Sequence, residues 1–157
     1  MCTKPLSGFA CCKYRRRSWK QSYKANRTLE NITSDGTIVK SKGEVIIYDK
    51  LLYYGIEFVY EPGVEITTVD GQKKYVHPDF MIFLKDGSVL YWEHLGMLLD
   101  DQYAEKFKLK LQSYVNSGIV PGINLILTSD GPSTKTNAYE IRQLIESYIL
   151  PRARIVK

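Results

Sequence analysis

Residues 74–96 constrain this chain more than any other stretch. Two apolar runs, 75–84 and 89–95, are rich in β-branched and aromatic residues and flank Lys85-Asp86-Gly87. Each run carries one acid, Asp79 in the first and Glu93 in the second. Strand-forming runs joined by a short turn containing Asp-Gly define a β-hairpin. Its register depends on the length of the loop. A two-residue Asp86-Gly87 loop pairs Phe80 with Glu93 and sends Asp79 to the opposite face. A three-residue loop, Lys85-Asp86-Gly87, puts Gly87 in the left-handed bulge position and sets Asp79 directly opposite Glu93. The second is favoured, because that loop needs its glycine where Gly87 stands. The two carboxylates then share a face with Cβ atoms about 5 Å apart. Like charges so placed between apolar strands need a neutralising partner. A divalent cation supplies one, and Mg²⁺ typically takes one or two carboxylates plus substrate phosphate. Two separately solvated edge carboxylates are the alternative; Phe80, Ile82, Tyr91 and Trp92 argue against leaving both strands exposed.

The elements around the hairpin follow from caps and periodicity. Ser41-Lys42-Gly43-Glu44 is a capping box that opens a helix to about residue 54, with Gly55 as its stop. Glu44, Ile47, Tyr48 and Leu51 fall on one stripe, so Glu44 either caps the helix or faces inward. Residues 56–60 alternate as a strand closed by Glu61-Pro62-Gly63, and Asp70-Gly71-Gln72 forms a turn ahead of the hairpin. A helix over 102–116 carries the stripe Tyr103, Phe107, Leu111 and Tyr114 and stops at Gly118. Residues 124–128 form a continuous apolar run, expected as a strand buried on both faces and paired in parallel within the sheet. Asn137 caps a final helix to about residue 150, ended by Pro151. The expected order is α-β-β-β-α-β-α, an α/β domain over residues 39–157 with a small mixed sheet flanked by helices. Gly131 to Thr136 reads as a surface loop near the site, without P-loop spacing.

The net charge of +5 is unevenly spread. Before residue 30 stand Lys4, Lys13, Arg15, Arg16, Arg17, Lys20, Lys24 and Arg27 with no acid, so the rest of the chain is slightly acidic. A basic arm over residues 1–38, interleaved with Tyr14, Trp19 and Tyr23, suits contact with nucleic acid. Arg15, Arg16, Arg17 and Lys20 are its candidate contacts, joined by Lys42 at the start of the first helix. A solvated tail, or an arm docked on the domain, would look the same in sequence. Cys2, Cys11 and Cys12 lie in the arm and are expected as free thiols. No apolar run approaches a membrane span and no segment has signal-peptide architecture, so a cytoplasmic, intracellular protein is expected.

His77-Pro78-Asp79-Phe80, followed by Trp92-Glu93-His94, resembles the PD-(D/E)XK nuclease superfamily, the restriction-endonuclease-like fold. Trp92-Glu93-His94-Leu95-Gly96 looks like a branch of stand-alone or helicase-linked DNA nucleases. The resemblance covers about residues 39–128. It implies a Mg²⁺-dependent deoxyribonuclease, with Mn²⁺ as a substitute and internal cutting expected ahead of terminal cutting. DNA is the implied partner, with a helicase or other DNA-processing protein beside it; a homodimer stands open. Asp79 and Glu93 are the implied metal ligands, joined by Glu44 and by the His94 main chain. The His94 imidazole is a candidate general base or phosphate contact, although it should point away from Glu93. The superfamily also wants a lysine two residues after Glu93, where this chain has Leu95. Lys110 is the expected replacement, on the inward stripe with Tyr103 and Phe107. Lys106 competes with it, Lys108 turns to solvent, and a snorkelling Lys110 is the plain alternative. The run Lys110-Leu111-Gln112-Ser113-Tyr114 also resembles the branch. Two other classes remain: a nucleic-acid-binding module on this fold that has lost catalysis, and a protein-interaction domain.

Overall fold

A computed structural model describes residues 31–96, 101–130 and 136–156. Helix α1 (Lys42–Tyr53) starts where Ser41 caps it, the Ser41 side chain accepting from the Glu44 N–H at 3.1 Å. The Glu44 carboxylate reaches back to the Lys40 N–H at 3.1 Å, one residue before the expected reciprocal donor. Gly55, at φ +65°, closes the helix: its N–H bonds Leu52 and the Ile56 N–H bonds Leu51.

The central hairpin adopts the three-residue loop. β4 (Phe80–Phe83) and β5 (Val89–Leu95) pair antiparallel, with Phe80 opposite Trp92 and Phe83 opposite Val89. Leu84 and Ser88 close the loop, and Gly87 sits at φ +85° with its N–H on the Leu84 carbonyl at 3.1 Å. Asp86 holds the turn by accepting from the Ser88 N–H at 2.9 Å. β1 (Phe58–Tyr60) flanks β4 antiparallel and β6 (Leu125–Ser129) flanks β5 in parallel, giving the order β1-β4-β5-β6. The class is mixed α/β, with a small, mostly antiparallel sheet and helices on its faces.

Three expectations are corrected. Two further strands, β2 (Val64–Thr67) and β3 (Lys73–Val76), form a separate hairpin, so the order is α-β-β-β-β-β-α-β-α. Tyr75 and Val76 belong to it rather than to β4, because Pro78 has no N–H to continue a ladder and the chain changes sheet there. β6 pairs in parallel as expected but lies at the sheet edge, with Ser129 exposed. The last helix, capped by Asn137, reaches about residue 150 ahead of Pro151 as expected, running as α3 (Ala138–Leu144) and then a π turn over Ile145–Ile149.

The sheet divides the core. On one face α1, α3 and the π turn bury Ile47, Leu51, Ile141, Ile145 and Ile149 against Phe80, Ile82, Leu90, Trp92 and Ile126. On the other, Tyr114 of α2 (Asp101–Asn116) packs with Ile119, Val64 and Ile66 against Met81, Tyr91 and Leu125. Each such large apolar side chain contributes about 1.5–3 kcal/mol by leaving water. Gly118, at φ +78°, ends α2 as expected. The chain finishes by pairing Ala153 with Leu84 and Ile155 with Ile56. Residues 31–38, assigned by sequence to the arm, form a turn docked on α1. Ile32 bridges Ile38, and Asp35 accepts from Thr33, Thr37 and the Tyr48 hydroxyl. The Thr33 hydrogen bond, ahead of the others, holds the Asp35 carboxyl down at about 2.

Candidate active site

Asp79 immediately precedes β4, and one further step of the β4–β5 register sets it opposite Glu93. Both are buried, at 9% and 4% exposure. Asp79 Oδ2 accepts the His94 N–H at 2.7 Å, so the neighbouring strand's backbone fixes that carboxylate. Burial above all, then the Glu93 charge, pushes the Asp79 pKa up to about 7; Glu44 adds to the rise, while the His94 hydrogen bond and Lys110 oppose it.

Glu93 is gripped from α2. Lys110 Nζ lies 2.6 Å from Glu93 Oε1, and the Tyr114 hydroxyl donates to the same oxygen at 2.5 Å. Residues four apart on a helix share a face, which is why both reach one atom. Burial, then the Glu93 charge, raises the Tyr114 pKa, so the phenol stays protonated and keeps donating. Lys110 is half-buried and its Nζ also lies 3.5 Å from the His77 carbonyl oxygen. Lys106 and Lys108 are exposed, and Lys108 pairs with Glu105 at 3.6 Å. Leu95 is buried in β5. Among the three lysines weighed by sequence, the ion pair with Glu93 belongs to Lys110.

Glu44 is buried and accepts from the Tyr60 hydroxyl at 2.6 Å as well as from Lys40. Its cap role and its inward position therefore hold together. Burial, and then the charges of Asp79, Glu93 and Glu44, raise the Tyr103 pKa. Sequence periodicity marked Tyr103 and Tyr114 only as apolar stripe and gave Tyr60 no role. Tyrosine rather than phenylalanine at all three positions was the signal present. His77 is exposed, with Nδ1 3.2 Å from the Glu61 carbonyl oxygen; burial, Lys40 and Lys110 lower its pKa.

The His94 ring lies on the opposite face from Glu93, as strand alternation requires. Its Nδ1 is 2.8 Å from Thr128 Oγ1 and its Nε2 is 3.1 Å from Asp130 Oδ1. Trp92 Nε1–H donates to Thr128 Oγ1 at 2.8 Å, so one hydroxyl joins the Trp92 and His94 rings. Thr136 donates to Asp130 Oδ1 at 2.5 Å. A Cβ on Gly43 would fall 2.2 Å from His94 Nε2, so the first turn of α1 rests directly on the ring. With both nitrogens engaged, the ring anchors β5 to β6 and α1, and the expected base or phosphate role does not fit this arrangement. What meets Asp79 is the His94 N–H. Of the four ligands expected from sequence, Asp79 and Glu93 face each other across the hairpin, Glu44 is buried with Lys40 and Tyr60 donating to it, and the main chain of His94 meets Asp79 through its N–H. Among the described residues no group of three His, Cys, Asp or Glu side chains is placed to hold a metal ion. Lys42 is exposed in the first turn of α1; Arg15, Arg16, Arg17, Lys20 and the three cysteines lie outside the described residues.

Fold and site together define a mixed α/β domain with a buried carboxylate pair bound by a helix-borne lysine. The chain is similar to the uncharacterized protein MJ1519 of Methanocaldococcus jannaschii, 26% identical over 140 residues that cover 81% of this chain and 11% of that protein. It therefore spans a small part of the relative's length. No family model and no solved structure matches it. Among the described residues no helix is long and apolar enough to cross a membrane.

Proposed function

We propose that this domain is a Mg²⁺-dependent deoxyribonuclease of restriction-endonuclease-like fold, cutting internally. The observation that carries the reading is Lys110 Nζ at 2.6 Å from Glu93, directly across the hairpin from Asp79. A lysine from the packing helix occupies the surroundings that the strand position, filled by Leu95, leaves uncharged. The donor chemistry fits a hard divalent cation: two oxygen ligands, one of them driven toward protonation by burial and then by the other's charge, form a set that such a cation neutralises. Two carboxylates suffice, since Mg²⁺ completes its shell with water and phosphate. Asp79 and Glu93 would hold the ion, which when bound supplies an acidified water and a positive charge for the departing oxygen. The chain's own groups do the remaining work. The His94 N–H and the Tyr114 hydroxyl orient the two carboxylates. Lys110 presents a cation where phosphate charge develops, and a preorganised cation in a partly dry site stabilises that charge strongly.

A second reading, a binding module without catalysis, draws on the same ion pair, because Lys110 already neutralises Glu93 without a metal. Incubating the protein with supercoiled plasmid or linear strands in Mg²⁺, Mn²⁺ or EDTA separates the two. Cleavage with either metal, lost in EDTA and in Asp79→Ala and Glu93→Ala, is the expected result. Cleavage that survives both substitutions would overturn the site. Metal-independent binding without cleavage would establish the second reading.

A further inference from the structure

β3 ends at Val76, three residues before Asp79. Tyr75 is 68% exposed and His77, two residues on, is exposed as well. A Cβ placed on Gly63, in the loop between β1 and β2, would lie 3.8 Å from Tyr75 Cδ1 and 3.7 Å from His77 Cε1. The two rings therefore both come close to the half-buried Gly63. The His77 ring is tethered there by Nδ1, 3.2 Å from the Glu61 carbonyl oxygen. Cations border the pair. Lys40 forms an ion pair with the Glu61 side chain, and Lys110 Nζ lies 3.5 Å from the His77 carbonyl oxygen. Lys110 in turn reaches Glu93. Lys110 thus links the His77 main chain to the carboxylate pair.

A continuous apolar patch is the usual mark of a protein-docking face. Here the strand neighbours Glu65, Lys73 and Lys74 are exposed and charged, and Lys73 pairs with Glu65 at 2.8 Å. Exposed rings beside lysines suit a different partner: bases stack on the rings while the lysines follow the phosphates. Inside a duplex both faces of each base are already occupied by neighbouring bases, so only an unpaired base can use such a platform. We propose that Tyr75 and His77 form a stacking platform for unpaired nucleobases, so that the strand brought to Asp79 and Glu93 is single-stranded DNA or a frayed end. The inference rests on the nucleic-acid reading above and names the form of its substrate.

Binding in EDTA tests it without any cleavage. Fluorescence anisotropy would follow a labelled oligodeoxythymidylate about ten nucleotides long, its abasic counterpart and a blunt duplex. Tyr75→Ala is expected to weaken the oligodeoxythymidylate by about 5- to 100-fold, the range measured for removing one stacked base. The abasic strand and the duplex should change less than about twofold, being held by phosphate contacts alone. Tyr75→Trp, which keeps a stacking face on the same exposed position, should bind at least as tightly as the parent. Unchanged oligodeoxythymidylate affinity in Tyr75→Ala would overturn the platform, as would an equal loss on the abasic strand or the duplex. The plasmid assay stands apart from this one. Tyr75-dependent stacking without cleavage retires the nuclease and leaves the platform, whereas cleavage with an inert Tyr75 does the reverse.

Discussion

Asp79→Asn should stabilise the metal-free protein at alkaline pH, and the size of the effect follows from the hairpin. The Asp79 carboxyl titrates at about 7 in the folded chain against 3.8 for the unperturbed group. Its folded pKa is raised, so the native state holds the proton more tightly than the unfolded state does. Stability is therefore full below the unfolded pKa, falls as pH rises through the window between the two values, and levels off above about 7. Three units correspond to about 4 kcal/mol, and relaxation around the ionised group reduces the expected loss to about 2–4 kcal/mol. Asparagine keeps an acceptor for the His94 N–H and cannot ionise. At pH 8 in EDTA the variant should thus unfold about 5–10 °C above the parent, and at pH 4 the two should nearly coincide. Thermal melts followed by circular dichroism across that range measure the gap. Adding Mg²⁺ at pH 8 should raise the parent and leave the variant nearly unmoved, since a ligand stabilises only the state that binds it. A gap independent of pH would refute the electrostatic reasoning, and an equal Mg²⁺ response in both proteins would refute Asp79 as a ligand.

Three further outcomes are expected. Lys110→Met keeps the stem and removes the charge, so cleavage should fall about 10²- to 10³-fold with folding intact, while Lys106→Met, on an exposed position, should cut normally in the same plasmid assay. Gly43→Ala should lower stability by about 1–3 kcal/mol in urea unfolding, because its Cβ would fall 2.2 Å from His94 Nε2; an unperturbed midpoint would show that α1 does not rest on the ring. Deleting residues 1–30 should flatten the plot of log DNA affinity against log salt by about 0.7–0.9 for each phosphate the arm neutralises, and an unchanged slope would assign the arm another task.

The parts of the site legible in the sequence were those set by local geometry. Gly87 fixed the loop, the loop fixed the register, and the register brought Asp79 to Glu93. Helical phase set Lys108 aside, because an α-helix repeats every few residues whatever it packs against, but left Lys106 on the same side as Lys110, and only the resemblance of the Lys110–Tyr114 run favoured Lys110. Relations between distant segments were not legible. Nothing near Glu44 announces that Tyr60 will donate to it, and nothing near Glu93 announces Tyr114. A tyrosine on an apolar stripe reads as core until the acid it faces is known. The apolar run over 75–84 concealed a change of sheet, since Tyr75 and Val76 are as strand-like as Phe80 and only Pro78 marks the break. His94 followed from alternation in direction, but its partners Thr128 and Asp130 depend on how β6 lines up beside β5.

The close approach of Gly43 to His94 also governs how such a sequence can drift. An imidazole at position 94 leaves no room for any side chain at position 43, so while the histidine stays every substitution of the glycine is selected against. A smaller residue at 94 would lift that ban, since its main-chain N–H would still hold Asp79 and only the ring's bonds to Thr128 and Asp130 would go. The two positions form a one-way gate, in which 94 must change before 43 is free to. Descendants of this chain should therefore include small residues at 94 paired with glycine at 43, and lack histidine at 94 paired with anything larger at 43.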